Sequence, residues 1–161
     1  MKPESPAHRP THRPAPRAGH RGVPHTADLR VEAWAPTREE CLAQAVRGVC
    51  ESFLDLTGTV TAGTAGAPGA ARTRHAELRA ARDEDLLTAL LEEVVFWLDT
   101  EDEVPLEVEL TPVTGGLRCA LRMADAGAFP VTGAVPKAVT LHELDVTRGP
   151  EGWTCSVTLD V

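Results

Sequence analysis

The stretch Ala27-Asp-Leu-Arg-Val-Glu-Ala33, followed at once by Thr37-Arg-Glu-Glu-Cys-Leu-Ala-Gln-Ala-Val-Arg-Gly-Val-Cys-Glu-Ser-Phe53, decides the fold. In its first half Leu29, Val31 and Ala33 alternate with Arg30 and Glu32, the period-two pattern of a half-buried strand. In its second half the period changes. Leu42, Ala45, Val46, Val49 and Phe53 recur at helical spacing behind Thr37-Arg-Glu-Glu40. That tetrad has the form of a capping box, in which the Thr37 hydroxyl takes the third backbone N–H and Glu40 reaches back. A strand feeding a capped helix that ends near Leu54 to Gly58 is the first unit of the chain.

Working outward, a second such unit follows. Thr57 to Ala71 is Thr, Gly, Ala and Pro without period and reads as a flexible loop. Arg74 to Ala81 forms a short strand. Asp83-Glu-Asp85 places acids where a helix N-terminus favours them. Leu86, Leu87, Leu90, Leu91, Val94, Val95, Phe96 and Leu98 make a stripe broad enough for a helix covered on more than one side. Four strands complete the pattern. Leu106, Val108 and Leu110 alternate with Glu107 and Glu109, and Leu117, Cys119, Leu121 and Met123 alternate with Arg118 and Arg122. The two form a hairpin with acids facing bases. After a Gly/Pro loop from Ala124 to Pro136 come strands over Ala138 to Val146 and over Trp153 to Asp160. The order β-α-β-α-β-β-β-β predicts an α/β domain of the α+β type, with two helices packed on a mostly antiparallel sheet.

Composition sets the limits. The 161 residues fit one domain. The 42% of hydrophobic residues build one aliphatic core, since aromatics are only 4%. Residues 1–23 are rich in Pro, Arg and His without hydrophobic period and read as a disordered tail, leaving 24–161 as the folded domain. The net charge of −8 is uneven. The first 24 residues carry five bases and only Glu4 as an acid, so the remainder holds 11 bases against 23 acids. An acidic body repels phosphate backbones, so no stable direct binding of nucleic acid is expected of it. No apolar run approaches the roughly 18 residues of a membrane span, and the start lacks the form of a secretory signal. The four cysteines form no Cys-x-x-Cys pair. Cys41 and Cys50 lie about 13 Å apart on one helix, too far to bridge, and reduced buried thiols in a cytoplasmic protein are the plain reading. Two acids beside Cys41 argue for a raised thiol pKa there.

Three polar features stand out. His25-Thr-Ala-Asp28 precedes the first strand, with Asp28 on the face opposite Leu29. Asp160 lies on the polar face at the end of the last strand, next to Val161. If those strands are antiparallel neighbours, Asp28, Asp160 and the Val161 carboxylate converge. Three carboxylates repel unless a cation joins them, and oxygen-only donors suit Ca²⁺ or Mg²⁺ rather than zinc. On spacing alone, a turn-capping Asp28 and a solvated Asp160 is the more economical reading. Third, Pro136-Lys-Ala-Val-Thr-Leu-His-Glu143 gathers Lys137, His142 and Glu143 in and beside a strand. Lys and His in a cleft can act as acid, base or phosphate ligand, yet a strand-edge Lys137 and a hydrogen-bonded His142 account for them more simply. No Gly-x-Ser-x-Gly elbow, Walker loop, dinucleotide fingerprint or His-Glu-x-x-His is present.

Taken together in this order, His25-Thr-Ala-Asp28, Lys137-Ala-Val-Thr-Leu-His-Glu143 and Leu159-Asp-Val161 resemble the archease family, and Asp85-Leu-Leu to Trp97-Leu-Asp99 is similar to that family's second helix. The resemblance spans about residues 24–161. It implies a fold of two similar strand-helix-strand-strand modules. It also implies an accessory protein, not an enzyme, that promotes guanylylation and turnover of an RtcB-type RNA ligase in tRNA splicing or RNA repair. The implied cofactor is a divalent ion, Ca²⁺, held by Asp28, Asp160 and the Val161 carboxylate. Lys137 and Glu143 are implied in activating the partner; His25 and His142 are candidates for support to which the resemblance assigns no role. One departure is Leu141, where the family has an aromatic before the His. Two further hypotheses belong to other classes: a chaperone-like module for another RNA-modifying enzyme such as a tRNA methyltransferase, and a metal-dependent phosphoester hydrolase using Asp28, Asp160 and His142.

Overall fold

In the computed structural model, which describes residues 17–24, 28–57 and 70–161, the alternating stretch forms a strand, β2, over Asp28–Ala35. Its inward residues Val31, Ala33 and Ala35 are buried. Helix α1 follows over Arg38–Glu51, and the Thr37 half of the expected capping box forms. Extended Thr37 accepts the Glu40 N–H at 3.2 Å. Helix α2 spans Asp83–Glu101 with three acids in its first turn, where the helix dipole favours them. It ends where Asp102 turns left-handed at φ 54°, a common way for a helix to stop. The remaining strands are β1 (Gly19–Pro24), β3 (Ala70–Arg79), β4 (Glu103–Val113), β5 (Gly116–Asp125), β6 (Ala138–Gly149) and β7 (Gly152–Asp160).

Every strand pairing is antiparallel, but the strands divide into two sheets, β1-β2-β7-β6 and β3-β5-β4. The division has a simple logic. In each sheet a strand leads into a helix and pairs with the second strand of a later hairpin. The unit β3-α2-β4-β5 is continuous in sequence. The unit β2-α1-β6-β7 has the same order but is interrupted after α1, so the first is nested inside the second. The hairpin β4–β5 satisfies its backbone with β3, leaving β6–β7 to close on β2. Charge pairing across β4–β5 appears where expected. Glu107 stands opposite Arg122, with 3.3 Å between their charged groups.

The helices join the sheets into one core. Helix α1 packs on β1, β2 and β7 and also on β4, and α2 packs on β3 and β4 and also on β6. Leu42, Leu87, Leu90, Leu91, Leu117 and Leu159 have no exposed surface. Each fully buried Leu contributes about 1.5–3 kcal/mol relative to an exposed one. No helix among the described residues is long and apolar enough to cross a membrane.

Several features differ from the sequence reading, among them the end of α1, which stops at Glu51 rather than near Leu54 to Gly58. Residues 1–16 lie outside the described residues, but Gly19–Pro24, all but its last residue placed in the tail, is an edge strand on β2. Its anchors are long-range: His20 Nδ1 meets Gln44 Oε1 at 2.9 Å and Nε2 meets Glu51 Oε2 at 2.6 Å, both on α1. Gly19 packs so tightly on the Trp34 ring that a Cβ there would stand 2.5 Å from it. The Thr57–Ala71 loop falls largely on residues 58–69, outside the described residues, while Ala70 and Ala71 already belong to β3. On α2, the stripe is not covered throughout: Phe96 is 53% exposed.

Candidate functional site

The pairing of β2 with β7 sets Asp28 directly opposite Asp160. Opposed residues of an antiparallel pair project to the same face, with Cα atoms about 4.5–5.5 Å apart. The neighbouring pair, Leu29 and Leu159, turns to the core, so alternation sends both aspartates outward. Neither is in an ion pair with another described residue. Strand β6 continues the row: Ala138 is the other partner of Asp160, and the Lys137 N–H donates to the Asp160 carbonyl at 2.8 Å. A shallow groove of about 370 Å³ opens here, with Asp28, Ser52, Ala134 and Val161 in its wall.

One row along the same face stand Arg30, Thr158 and Thr140. Arg30 reaches Glu32 at 3.4 Å and Glu143 at 3.3 Å. Glu143 arrives there through an irregularity in β6. Thr140 pairs with Thr158 and Asp145 with Ser156, so Leu141 to Leu144 bulge out against Val157 alone. At the bulge Glu143 takes φ 54°, an uncommon backbone state for a residue with a side chain. The Ser156 hydroxyl donates to the Glu143 carbonyl at 2.9 Å and holds it there. Beneath the bulge Thr158 is 3% exposed, and its hydroxyl and the Arg30 Nε are buried without hydrogen-bond partners.

The sequence-derived candidates therefore fall in distinct places. Asp28, Asp160 and Val161 come together, Lys137 joins them through its backbone, and Glu143 is tied to the same face by Arg30. His142 is exposed on the bulge, its Nε2 3.9 Å from Glu143 Oε1. His25 lies outside the described residues. No group of three or more His, Cys, Asp or Glu side chains able to hold a metal occurs among the described residues. What the row offers a cation is two carboxylates and the main-chain oxygens of Val161, an oxygen-only set that fits a hard, partly hydrated ion and not zinc. Sequence reasoning missed Arg30 and Ser156. The signal for Arg30 was its place two residues after Asp28, on the same face.

The thiols take no part in this surface. All four are free and buried. Burial pushes Cys50 up to about 12 and Cys119 up to about 11. Cys41 of α1 and Cys155 of β7 meet with their sulfurs 3.5 Å apart. Their hydrogen bond, together with burial, raises Cys155, and it lowers Cys41. The direction at Cys41 is thus opposite to the one its acidic neighbours suggested, because a thiol 114 residues away acts more strongly than they do.

Comparison with known proteins bears on this arrangement. Residues 20–161 match the family described as Archease protein family (MTH1598/TM1083). A Mycobacterium tuberculosis protein named "Probable protein archease" is 50% identical over 149 residues, covering 92% of this chain and 78% of its own length. "Protein archease" of Archaeoglobus fulgidus is 26% identical over 145 residues, covering 88% of this chain and 98% of its own. Among solved structures, Methanobacterium thermoautotrophicum protein 1598 matches with a TM-score of 0.65 at 22% identity, over 89% of this chain and 99% of that one. A Thermotoga maritima protein described as "an archease, possible chaperone" matches with a TM-score of 0.60 at 17% identity, over 96% and 100%. At those identities the two structures speak to the fold alone.

Proposed function

Because this chain belongs to the archease family, we propose that it is a cytoplasmic activator of an RtcB-type RNA ligase, promoting guanylylation and turnover of that enzyme in tRNA splicing or RNA repair. The observation that carries the reading is the Asp28–Asp160 pair with Lys137 bonded to it through the backbone. Two like charges placed directly opposite destabilise a sheet, so a protein that keeps them has a use for a cation there. Asp28, Asp160 and Val161 would hold Ca²⁺, which would neutralise the two aspartates and remove their mutual repulsion. Lys137 and Glu143 are the charged groups presented to the partner, with His142, and His25 before β2, in support. Arg30 and Ser156 hold Glu143 on its bulge, so its carboxylate is positioned before the partner arrives.

The test follows formation of the ligase–guanylate adduct from GTP and purified cognate ligase, with and without this protein. Acceleration by the native chain, lost in Asp160→Asn and in Glu143→Ala, is expected. No acceleration by the native chain, or undiminished acceleration by Asp160→Asn, sinks the reading.

A further inference from the structure

A second groove, of about 800 Å³, runs between α2 and the segment that leads into β6. Its lip is apolar, which is uncommon for so much contiguous surface. Phe96 is 53% exposed, Val131 70% and Val135 45%, and all three line it. The walls are held in place from behind. Phe96 rests edge-on against Trp97, ring centres 5.0 Å apart, and Trp97 is itself covered by the Arg74 guanidinium at 3.9 Å. Both contacts have the favoured geometry of their kind, edge-to-face and cation over ring. On the far wall, Val131 bridges to Leu54, and the Thr132 N–H donates to the Phe53 carbonyl at 2.9 Å. The apolar surface is thus presented in a fixed shape before anything binds it.

Its charge is one-sided. Glu92, Asp99 and Asp102 stand on the rim, and none is in an ion pair among the described residues. Lys137 is the one cation among the described residues that line the groove, and it stands at the end next to Asp160. Several acids elsewhere are met by arginines: Glu32 by Arg21 and Arg30, Glu103 by Arg72 and Arg74, Asp83 by Arg38. An apolar trough with three unanswered carboxylates complements a segment that has a bulky apolar side chain flanked by Lys or Arg.

We propose that this groove docks such a basic amphipathic segment, supplied by a protein that binds nucleic acid. A protein built to hold RNA phosphates carries Lys and Arg on its surface, which an acidic rim attracts and RNA itself does not match. The proposal rests on the ligase-activator reading and deepens it by separating two tasks. The groove anchors the partner, and the Asp28–Asp160 face, joined to it at Lys137, acts on it. The seat is of the helix-in-groove kind, with Phe96 as the aromatic anchor.

The test is the affinity of the full chain for cognate ligase by calorimetry, at low and high salt. Phe96→Ala is expected to weaken binding by about tenfold or more. The double variant Glu92→Lys/Asp99→Lys is expected to weaken it about a hundredfold at low salt and to flatten the salt dependence. Asp160→Asn is expected to bind normally while losing activation. Val131→Ser, at a side chain 70% exposed, replaces Phe96→Ala if the latter does not fold. Normal ligase binding by both groove variants overturns the groove and leaves the activator reading standing. If the native chain neither binds nor accelerates the ligase, the activator reading fails, and a synthetic Leu/Lys amphipathic peptide decides the groove. Binding that Phe96→Ala removes, with none to a Leu/Glu peptide, sustains it, and no binding overturns it. A concentration-dependent dimer that Phe96→Ala abolishes assigns the trough to a second copy and also overturns it.

Discussion

Replacing Asp160 by Asn changes one charge and almost no volume, so it isolates the electrostatics of the Asp28–Asp160 pair. The two residues face each other in register, and their carboxylates project from the same side of the sheet. At roughly 5 Å two unit charges repel by about 0.8 kcal/mol in bulk water and by about 3 kcal/mol at an effective dielectric of 20. Asp160 is exposed, which favours the lower end. Cross-strand charge pairs also contribute up to about 1 kcal/mol. In chelator, Asp160→Asn should therefore stabilise the protein by about 1 kcal/mol and raise Tm by about 2–4 °C for a domain of this size. Calcium, on the proposed reading, should reverse the order. At a hundred times Kd it should stabilise the native chain by about 2.7 kcal/mol, whereas the variant, short of one proposed ligand, should gain little. Thermal unfolding followed by circular dichroism in EDTA and in excess Ca²⁺ tests this directly. The two melting curves should cross: variant above native in EDTA, native above variant in Ca²⁺. A variant that melts lower in both, or that gains as much from Ca²⁺ as the native chain, refutes the reasoning.

Two other outcomes follow from the interior. Leu87, on the buried face of α2, has no exposed surface and lies in the core. Leu87→Ala should therefore cost about 3 kcal/mol by urea unfolding, and a loss below about 1 kcal/mol would contradict the packing described. Folding raises Cys50 from 9.0 to about 12 and Cys119 from 9.0 to about 11. Their contribution is fully present below the unfolded value and declines as pH rises through that window. Stability should fall between about pH 9 and about pH 12, and Cys50→Ala should shallow the decline; a flat profile would argue that Cys50 is open to water.

What the sequence could show followed the range of the forces involved. The strand at Leu29–Ala33, the Thr37 cap and the α2 stripe are local patterns, and each is where its periodicity puts it. The strand β1 was invisible because Gly-His-Arg-Gly-Val-Pro has no period of its own. It is held by the β2 edge and by His20 on Gln44 and Glu51, contacts that only the folded chain provides. The division into two sheets was equally hidden, since alternation says which face a residue takes and not which strand lies beside it. At the site, alternation placed Asp28 and Asp160 on the polar face, and the antiparallel condition that joins them is met. The bulge at Leu141 to Leu144 was not legible: an extra-residue insertion in β6 is defined only against its partner β7, and it alone brings Glu143 to Arg30.

The nesting of one unit within the other sets an order in time as well as in space. The inner unit closes from neighbouring segments, but the β2–β7 ladder joins nearly the two ends of the described chain. Closing a loop of that length costs about 4 kcal/mol of chain entropy, repaid only once the inner unit and both helices are in place. The opposed aspartates are therefore among the last contacts made. A chain cut between the two units no longer holds Asp28 opposite Asp160, so that face exists only while the outer unit is closed around the inner one.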